Sequence, residues 1–119
     1  MKDITAQVED IVSDSGVRHG LCLIHSLHTT AGLTINENAD PNVCADILAE
    51  LTEIVPFEKV YQHGEGNSDA HIKASLVGFS ESLFVDNGAL VLGTWQGVYL
   101  CEFDGPRRRH VIVKVVADA

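Results

Sequence analysis

The last third of the chain constrains the fold more than any other part. From Leu83 onward, "LFVD", "ALVLG", "GVYLCEFD" and "RRRHVIVKVV" are short runs rich in β-branched and aromatic residues, the composition of strands. Asn87-Gly88 between the first two is a two-residue hairpin signal, and Gly105-Pro106 breaks the chain before the last. Several antiparallel strands at such short spacing call for an antiparallel sheet or sandwich.

The chain ahead of these strands supplies helices. In "DITAQVEDIVSDSG" the residues Ile4, Val8, Ile11 and Val12 recur at helical spacing, with Asp3 to cap the start and Gly16 to close the end. "PNVCADILAELTEIV" has Asp40 as N-cap, Pro41 in the first turn and an apolar stripe of Ile47, Leu48, Leu51, Ile54 and Val55, which predicts a second helix with that stripe buried. "AHIKASLVG", capped by Asp69 and stopped by Gly78, predicts a short third. "LCLIHSLH" (21–28) is a strand with Leu21, Leu23, His25 and Leu27 on one face and Cys22, Ile24, Ser26 and His28 on the other. Polar turns follow, and "FEKVYQ" (57–62) makes a short strand before the loop "HGEGNSD". With 119 residues, one core serves both folding and function. The expectation is one α+β domain over 1–119, a compact antiparallel β-sandwich of jelly-roll-like kind with two or three packed helices.

Charge and composition narrow the partners. A net charge of −9 opposes a polyanionic backbone, so nucleic acid is not an expected partner, although a small anion can still bind locally. No apolar run is long enough to span a membrane. Cys22, Cys44 and Cys101 are odd in number, lie in apolar company and show no metal or redox spacing, which fits buried thiols and a cytoplasmic setting.

Three of the six histidines, His28, His63 and His71, stand at element ends beside Gly, Asn, Thr and carboxylates. Gathered by folding, three imidazoles suit a divalent metal such as zinc. They suit equally a general acid/base role near neutral pH, or simple hydrogen bonding within loops. His19, His25 and His110 fit solvated or core-satisfied roles. Glu65, between Gly64 and Gly66, fits a site or a turn. Glu102 and Asp104 share one strand face with Val98 and Leu100, at a desolvation cost unless paired; Arg107 and Arg109 follow on a common face as natural partners, with forks that fit a carboxylate or a phosphate. Trp95, in "GTWQG", is either a ring platform for a ligand or a packing residue.

Three long blocks, "HTTAGLTINENADP", "HGEGNSDAHIKASLVG" and "LGTWQGVYLCEFDGPR", in this order and covering most of Gly20 to Arg109, resemble the YjbQ family, also known as the secondary thiamine-phosphate synthase enzymes. The resemblance implies a homotrimer with a polar pocket at or near subunit boundaries. It implies pocket residues His28, Thr29, Thr30, Asn36, Glu37 and Asp40 from the first block, His63, Glu65, Asn67 and His71 from the second, and Trp95, Gln96, Glu102 and Arg107 from the third. His28, Glu65 and His71 would be catalytic, and His28, His63 and His71 would hold zinc or magnesium. A small phosphorylated ligand would be bound by Arg107, the threonine hydroxyls and the helix start near Asp69. Family members commonly carry a strand segment ahead of the first helix, which this chain lacks; its loss would leave an unpaired edge or an altered subunit contact. Three functions follow as expectations: a weak thiamine-phosphate synthase or related transferase, a trimeric metal- or ligand-binding protein without turnover, and a metal-assisted hydrolase with Glu65 or Glu37 as base.

Overall fold

A computed structural model describes residues 1–119. Its elements in chain order are β1 (Lys2–Asp3), α1 (Thr5–Ser15), β2 (Gly20–Ser26), β3 (Ala31–Glu37), α2 (Pro41–Ile54), α3 (Ser68–Val77), β4 (Ser80–Asp86), β5 (Ala89–Leu90), β6 (Gln96–Glu102) and β7 (Val111–Ala117). The strands form two antiparallel sheets, ordered β1-β6-β3 and β5-β4-β2-β7. The fold is α+β with three helices. The two antiparallel sheets and three helices agree with the expected α+β class, while seven strands in sheets of three and four do not make up a jelly roll, which has eight.

One core joins the sheets. Val8 and Val12 of α1 meet Cys22 and Ile24 of β2, Leu33 of β3, Leu83 and Val85 of β4, and Val98 of β6. Helix α1 starts where Asp3 Oδ1 accepts from the Thr5 N–H at 2.9 Å and ends where Gly16, at φ 71°, turns back to donate to Ser13 O. The two residues of β1 pair with Leu100 and Tyr99, so a short strand does precede the first helix. The β4–β5 hairpin turns on Asn87 (φ 51°) and Gly88 (φ 77°), the left-handed pair that the Asn-Gly signal specifies.

Several expectations are corrected. In β2 the alternation holds but the core takes Cys22, Ile24 and Ser26, leaving Leu21 and Leu23 each 40% exposed. Both faces of that strand are apolar, so alternation alone could not select the inner one. Residues 31–37, taken as turns, form β3 because β6 offers it seven paired positions from Ala31↔Glu102 to Glu37↔Gln96. Residues 57–62, expected as a strand, pair with nothing, and Val60 is 96% exposed.

Helix α2 is capped as expected, with Asp40 Oδ1 accepting from the Asn42 N–H at 2.9 Å and Pro41 in the first turn. No residue within it is buried, however, and Ile54 is well exposed; of the anticipated stripe only Val55, just past its end, is inside. Helix α3 begins two residues earlier than expected, with Asn67 rather than Asp69 at the cap position. Asp69 lies inside the helix and pairs with Lys73 at 3.1 Å, both side chains about nine-tenths buried. Helix α3 lies hard against β3 at Gly32, where a Cβ would come within 2.6 Å of Gly78 O. Only glycine allows that approach.

Candidate functional site

The turn between β2 and β3 forms one wall of a cleft. Buried Ser26 holds it by donating to Ala31 O at 2.8 Å and accepting from the His28 N–H. Past the turn, the Leu27 N–H donates to His110 O at 3.2 Å, and the His110 N–H donates to Nε2 of His28 at 2.6 Å. The two imidazoles stack with centroids 6.2 Å apart. An accepting Nε2 fixes the neutral imidazole as the Nδ1–H tautomer, so His28 has a donor to offer. Its pKa is lowered from the ordinary 6.5, first by burial, then by the Arg109 guanidinium and the neighbouring His110, with Glu102 opposing.

Behind this wall lies a carboxylate–guanidinium pair. Glu102, at the end of β6, accepts from Arg109 Nε at 2.6 Å and, through its other oxygen, from Nη2 of the same guanidinium. Nη2 also donates to Thr30 Oγ1 at 2.9 Å. The Arg109 side chain is 8% exposed. Hydrogen bonding to Arg109 holds the Glu102 carboxyl below its ordinary range and raises the Arg109 guanidinium above its own. Gly105 makes this possible, because a Cβ there would lie 2.7 Å from Glu102 Cγ. The second pair is more open: Arg107 Nη2 meets Asp104 Oδ2 at 3.1 Å, and the same oxygen accepts from Asn67 Nδ2 at 2.8 Å. That bond fixes the amide's orientation and leaves Asn67 Oδ1 buried without a partner.

The start of α3 and the loop before it close the other side. His63 and His71 stand edge to face, centroids 5.3 Å apart. The cleft between the walls measures about 360 Å³, and of its eleven lining residues only Leu27 is hydrophobic. His28, Thr29, Thr30, His63, Glu65, Asn67, His71 and Arg107 all line it. So do Asp104 and Arg109, which were not placed among the site residues, although the alternation within "RRR" and its two carboxylate partners pointed to both.

The other implied residues lie elsewhere. Asn36 and Glu37 end β3 opposite Gly97 and Gln96, about 20 Å along the strand pair from Ala31 and Glu102. Trp95 is 62% exposed, Gln96 Oε1 accepts from the Gly93 N–H, and Asp40 is occupied as the cap of α2. Glu102 serves the cleft through Arg109. His19 and His25 are held outside it by Asp86 (2.9 Å) and Ser80 (2.6 Å).

The donor set does not fit a three-histidine metal centre as it stands. The Nε2 lone pair of His28 is taken by His110, its Nδ1 carries a hydrogen, and no three His, Cys, Asp or Glu side chains come together as ligands. His63 and His71 remain a pair of imidazoles.

Against known proteins, this two-sheet fold has close counterparts. The family model described as "UPF0047 protein YjbQ-like" matches residues 1–118, and the chain belongs to that family. It is 51% identical over 117 residues to the UPF0047 protein YugU of Bacillus subtilis, covering 98% of this chain and 89% of that one. It is also 51% identical over 116 residues to a UPF0047 protein of Methanocaldococcus jannaschii, covering 98% and 84%. A crystal structure of an uncharacterized conserved protein of the family from Clostridium acetobutylicum superposes with a TM-score of 0.94 at 54% identity, covering 97% and 89% of the two chains. A protein of unknown function from Sulfolobus solfataricus gives a TM-score of 0.94 at 38% identity, covering 98% and 86%.

These relatives correct the functional expectation. None of them is known as a thiamine-phosphate synthase: the Bacillus and Methanocaldococcus relatives are known as UPF0047 proteins, and the Sulfolobus neighbour as a protein of unknown function. The expected transferase activity is therefore withdrawn. No helix is long and apolar enough to cross a membrane.

Proposed function

We propose that the cleft is a recognition site for a small molecule carrying a compact oxyanion such as a phosphate. The observation behind this reading is the convergence of fixed donors in one hollow. Arg107 presents a half-exposed guanidinium there. Thr30 accepts from Arg109 and so keeps its own hydroxyl hydrogen to donate. Neutral His28 offers Nδ1–H. Two of the chain's eight basic residues, Arg107 and Arg109, line this cleft. Arg109 is engaged by Glu102 and Arg107 faces Asp104, so a bound oxyanion would compete with Asp104 for the Arg107 fork. The reading is one of recognition and attaches no bond-making step.

Titration with inorganic phosphate, pyrophosphate and acetate, followed by calorimetry and by the His28 and Thr30 resonances, tests it. Saturable, mutually competitive binding that weakens about tenfold in Arg107→Gln is the expected result. Absence of saturable binding by all three anions would remove the proposal.

A second reading concerns assembly. We infer that copies of this chain associate, as the implied homotrimer would require, because apolar surfaces are left uncovered. The outward face of the β2 sheet carries Leu21, Leu23, Phe84, Ile112 and Val116, each 40% exposed or more, and α2 buries none of its residues. The Cα radius of gyration, 15.7 Å, exceeds the ~13.5 Å of a compact domain of this length. Light scattering is expected to give a mass several times the 12.9 kDa of one chain; a monomer at micromolar concentration overturns this reading.

A further inference from the structure

Arg107 and Arg109 serve more than the polar cleft. With Lys2, Leu100, Glu102 and Pro106 they also line a separate hollow of about 320 Å³. The two guanidiniums are thus shared, whereas Lys2, Leu100 and Pro106 line this hollow alone.

The cations around it are only partly engaged. Arg109 donates from Nε and Nη2 to Glu102 and Thr30, and its Nη1 has no partner although the side chain is 8% exposed. That nitrogen is not sealed off either, since the one buried side-chain atom without a partner is Asn67 Oδ1. Arg107 donates from Nε to Asp104 O at 2.8 Å and from Nη2 to Asp104 Oδ2 at 3.1 Å, which leaves its Nη1 free. Lys2, exposed on β1, makes no ion pair. Three cationic groups with hydrogens to spare therefore border one hollow.

Charge sets this place apart from the rest of the chain. Against three cations stand Glu102, paired with Arg109, and Asp104, paired with Arg107, so one positive charge is left over in a molecule of net charge −9. A surplus of one suits a singly charged carboxylate better than a phosphate carrying about −1.5 to −2 at neutral pH. Guanidinium nitrogens match the two oxygens of a carboxylate, and the hollow has no hydroxyl, amide or imidazole for a third. What remains of its lining is half-buried Leu100 and the Pro106 ring. Those surfaces gain from covering by hydrocarbon.

We propose that this hollow is a second anion site, which takes a short-chain aliphatic monocarboxylate. The carboxylate would lie among Nη1 of Arg107, Nη1 of Arg109 and the Lys2 ammonium, with the hydrocarbon on Leu100 and Pro106. The site is independent of oxyanion recognition in the cleft, where Lys2, Leu100 and Pro106 play no part.

Calorimetric titration of the whole protein with formate, butyrate and inorganic phosphate, in wild type, Lys2→Gln and Arg107→Gln, tests it. Butyrate is expected to bind about tenfold tighter than formate. Lys2→Gln should weaken butyrate about threefold and leave phosphate unchanged, because an exposed ammonium contributes modestly and stands outside the cleft. Arg107→Gln, at a residue common to both places, should weaken both anions. Absence of saturable butyrate binding, or butyrate no tighter than formate, overturns the proposal. So does butyrate binding that either substitution leaves unaltered. An equal loss of butyrate and phosphate in Lys2→Gln also overturns it, since Lys2 would then act only through overall charge. Failure of phosphate alone removes the reading of the cleft and leaves this site standing.

Discussion

The two ends of the β3–β6 pair carry comparable polar residues and are secured in different ways. At the Ala31–Glu102 end the bonds span the chain: Arg109 reaches Thr30, and the His110 N–H reaches His28, across about eighty residues of sequence. At the Glu37–Gln96 end the side chains of Asn36 and Gln96 bond locally, and the long-range bonds there come from other residues, with Tyr99 donating its hydroxyl to Glu37 O and Asn38 Nδ2 donating to Asp3. Asn36 Oδ1 accepts from the next residue's N–H, Gln96 Oε1 from the Gly93 N–H three residues back, and Trp95 stands 62% exposed. A polar group held by distant parts of the chain has its position set by the whole fold, and such positions can serve as a preorganised site. One held by its neighbours reports only on a turn.

Breaking the long-range end should have the largest effect. Arg109→Met leaves Glu102 without its partner and is expected to cost about 2 kcal/mol in urea unfolding, less than the ~3–5 kcal/mol of a fully buried pair because Glu102 is 29% exposed. In the same variant the His28 titration, followed by NMR, should move upward, since one of the cations that lowers it is gone. An unchanged His28 would show that Arg109 does not govern that wall.

Acid should act on the same end in two stages. His28 has a lowered pKa in the fold, so the unfolded chain binds the proton more readily, and stability falls as pH drops below its ordinary 6.5. Glu102 is also lowered, so its contribution is present above its ordinary 4.5 and is lost as pH falls through the folded value. Denaturation midpoints measured from pH 8 to 3 should therefore decline in both windows, and the lower decline should shrink in Glu102→Gln to the part owed to Asp3, whose carboxyl is also lowered by its hydrogen bond from Thr5. The smallest effect is expected at the other end. Gln96→Ala should change oxyanion affinity less than twofold and unfolding free energy by less than about 0.5 kcal/mol. A tenfold loss of affinity in that variant would mean that the far end does reach the ligand, and would erase the contrast between the ends.

Sequence patterns revealed those features whose cause is local. Asp40 and Pro41 open α2, Gly16 closes α1, and Asn87-Gly88 turns the hairpin, each through the chemistry of one or two residues. Where the cause lay across the chain, the patterns misled. The stripe on α2 promised burial, but burial depends on an opposing surface that α2 does not find within its own chain. Strand β3 was hidden because Thr34, Asn36 and Glu37 read as turn residues until β6 is placed beside them. The cleft shows the same division. His28, Thr29, Thr30, His63, Glu65, Asn67, His71 and Arg107 were identifiable from residue type and family resemblance. Neither source revealed that Asn36, Glu37, Trp95 and Gln96 would lie at the opposite end of a strand pair, or that Arg109 would form the buried support of the Thr30 wall.

Gly32 sets the distance between two working surfaces. It is the seat on which α3, carrying His71 and following directly from Asn67, rests against the strand that emerges from Thr30. A single added methyl at that seat would act as a shim, prising the helix outward against Gly78. The imidazole pair would then recede from the arginines, and the span available to a bound molecule would widen. The gauge of the hollow is thus set by an atom that is missing, at a residue that never touches what the hollow would hold.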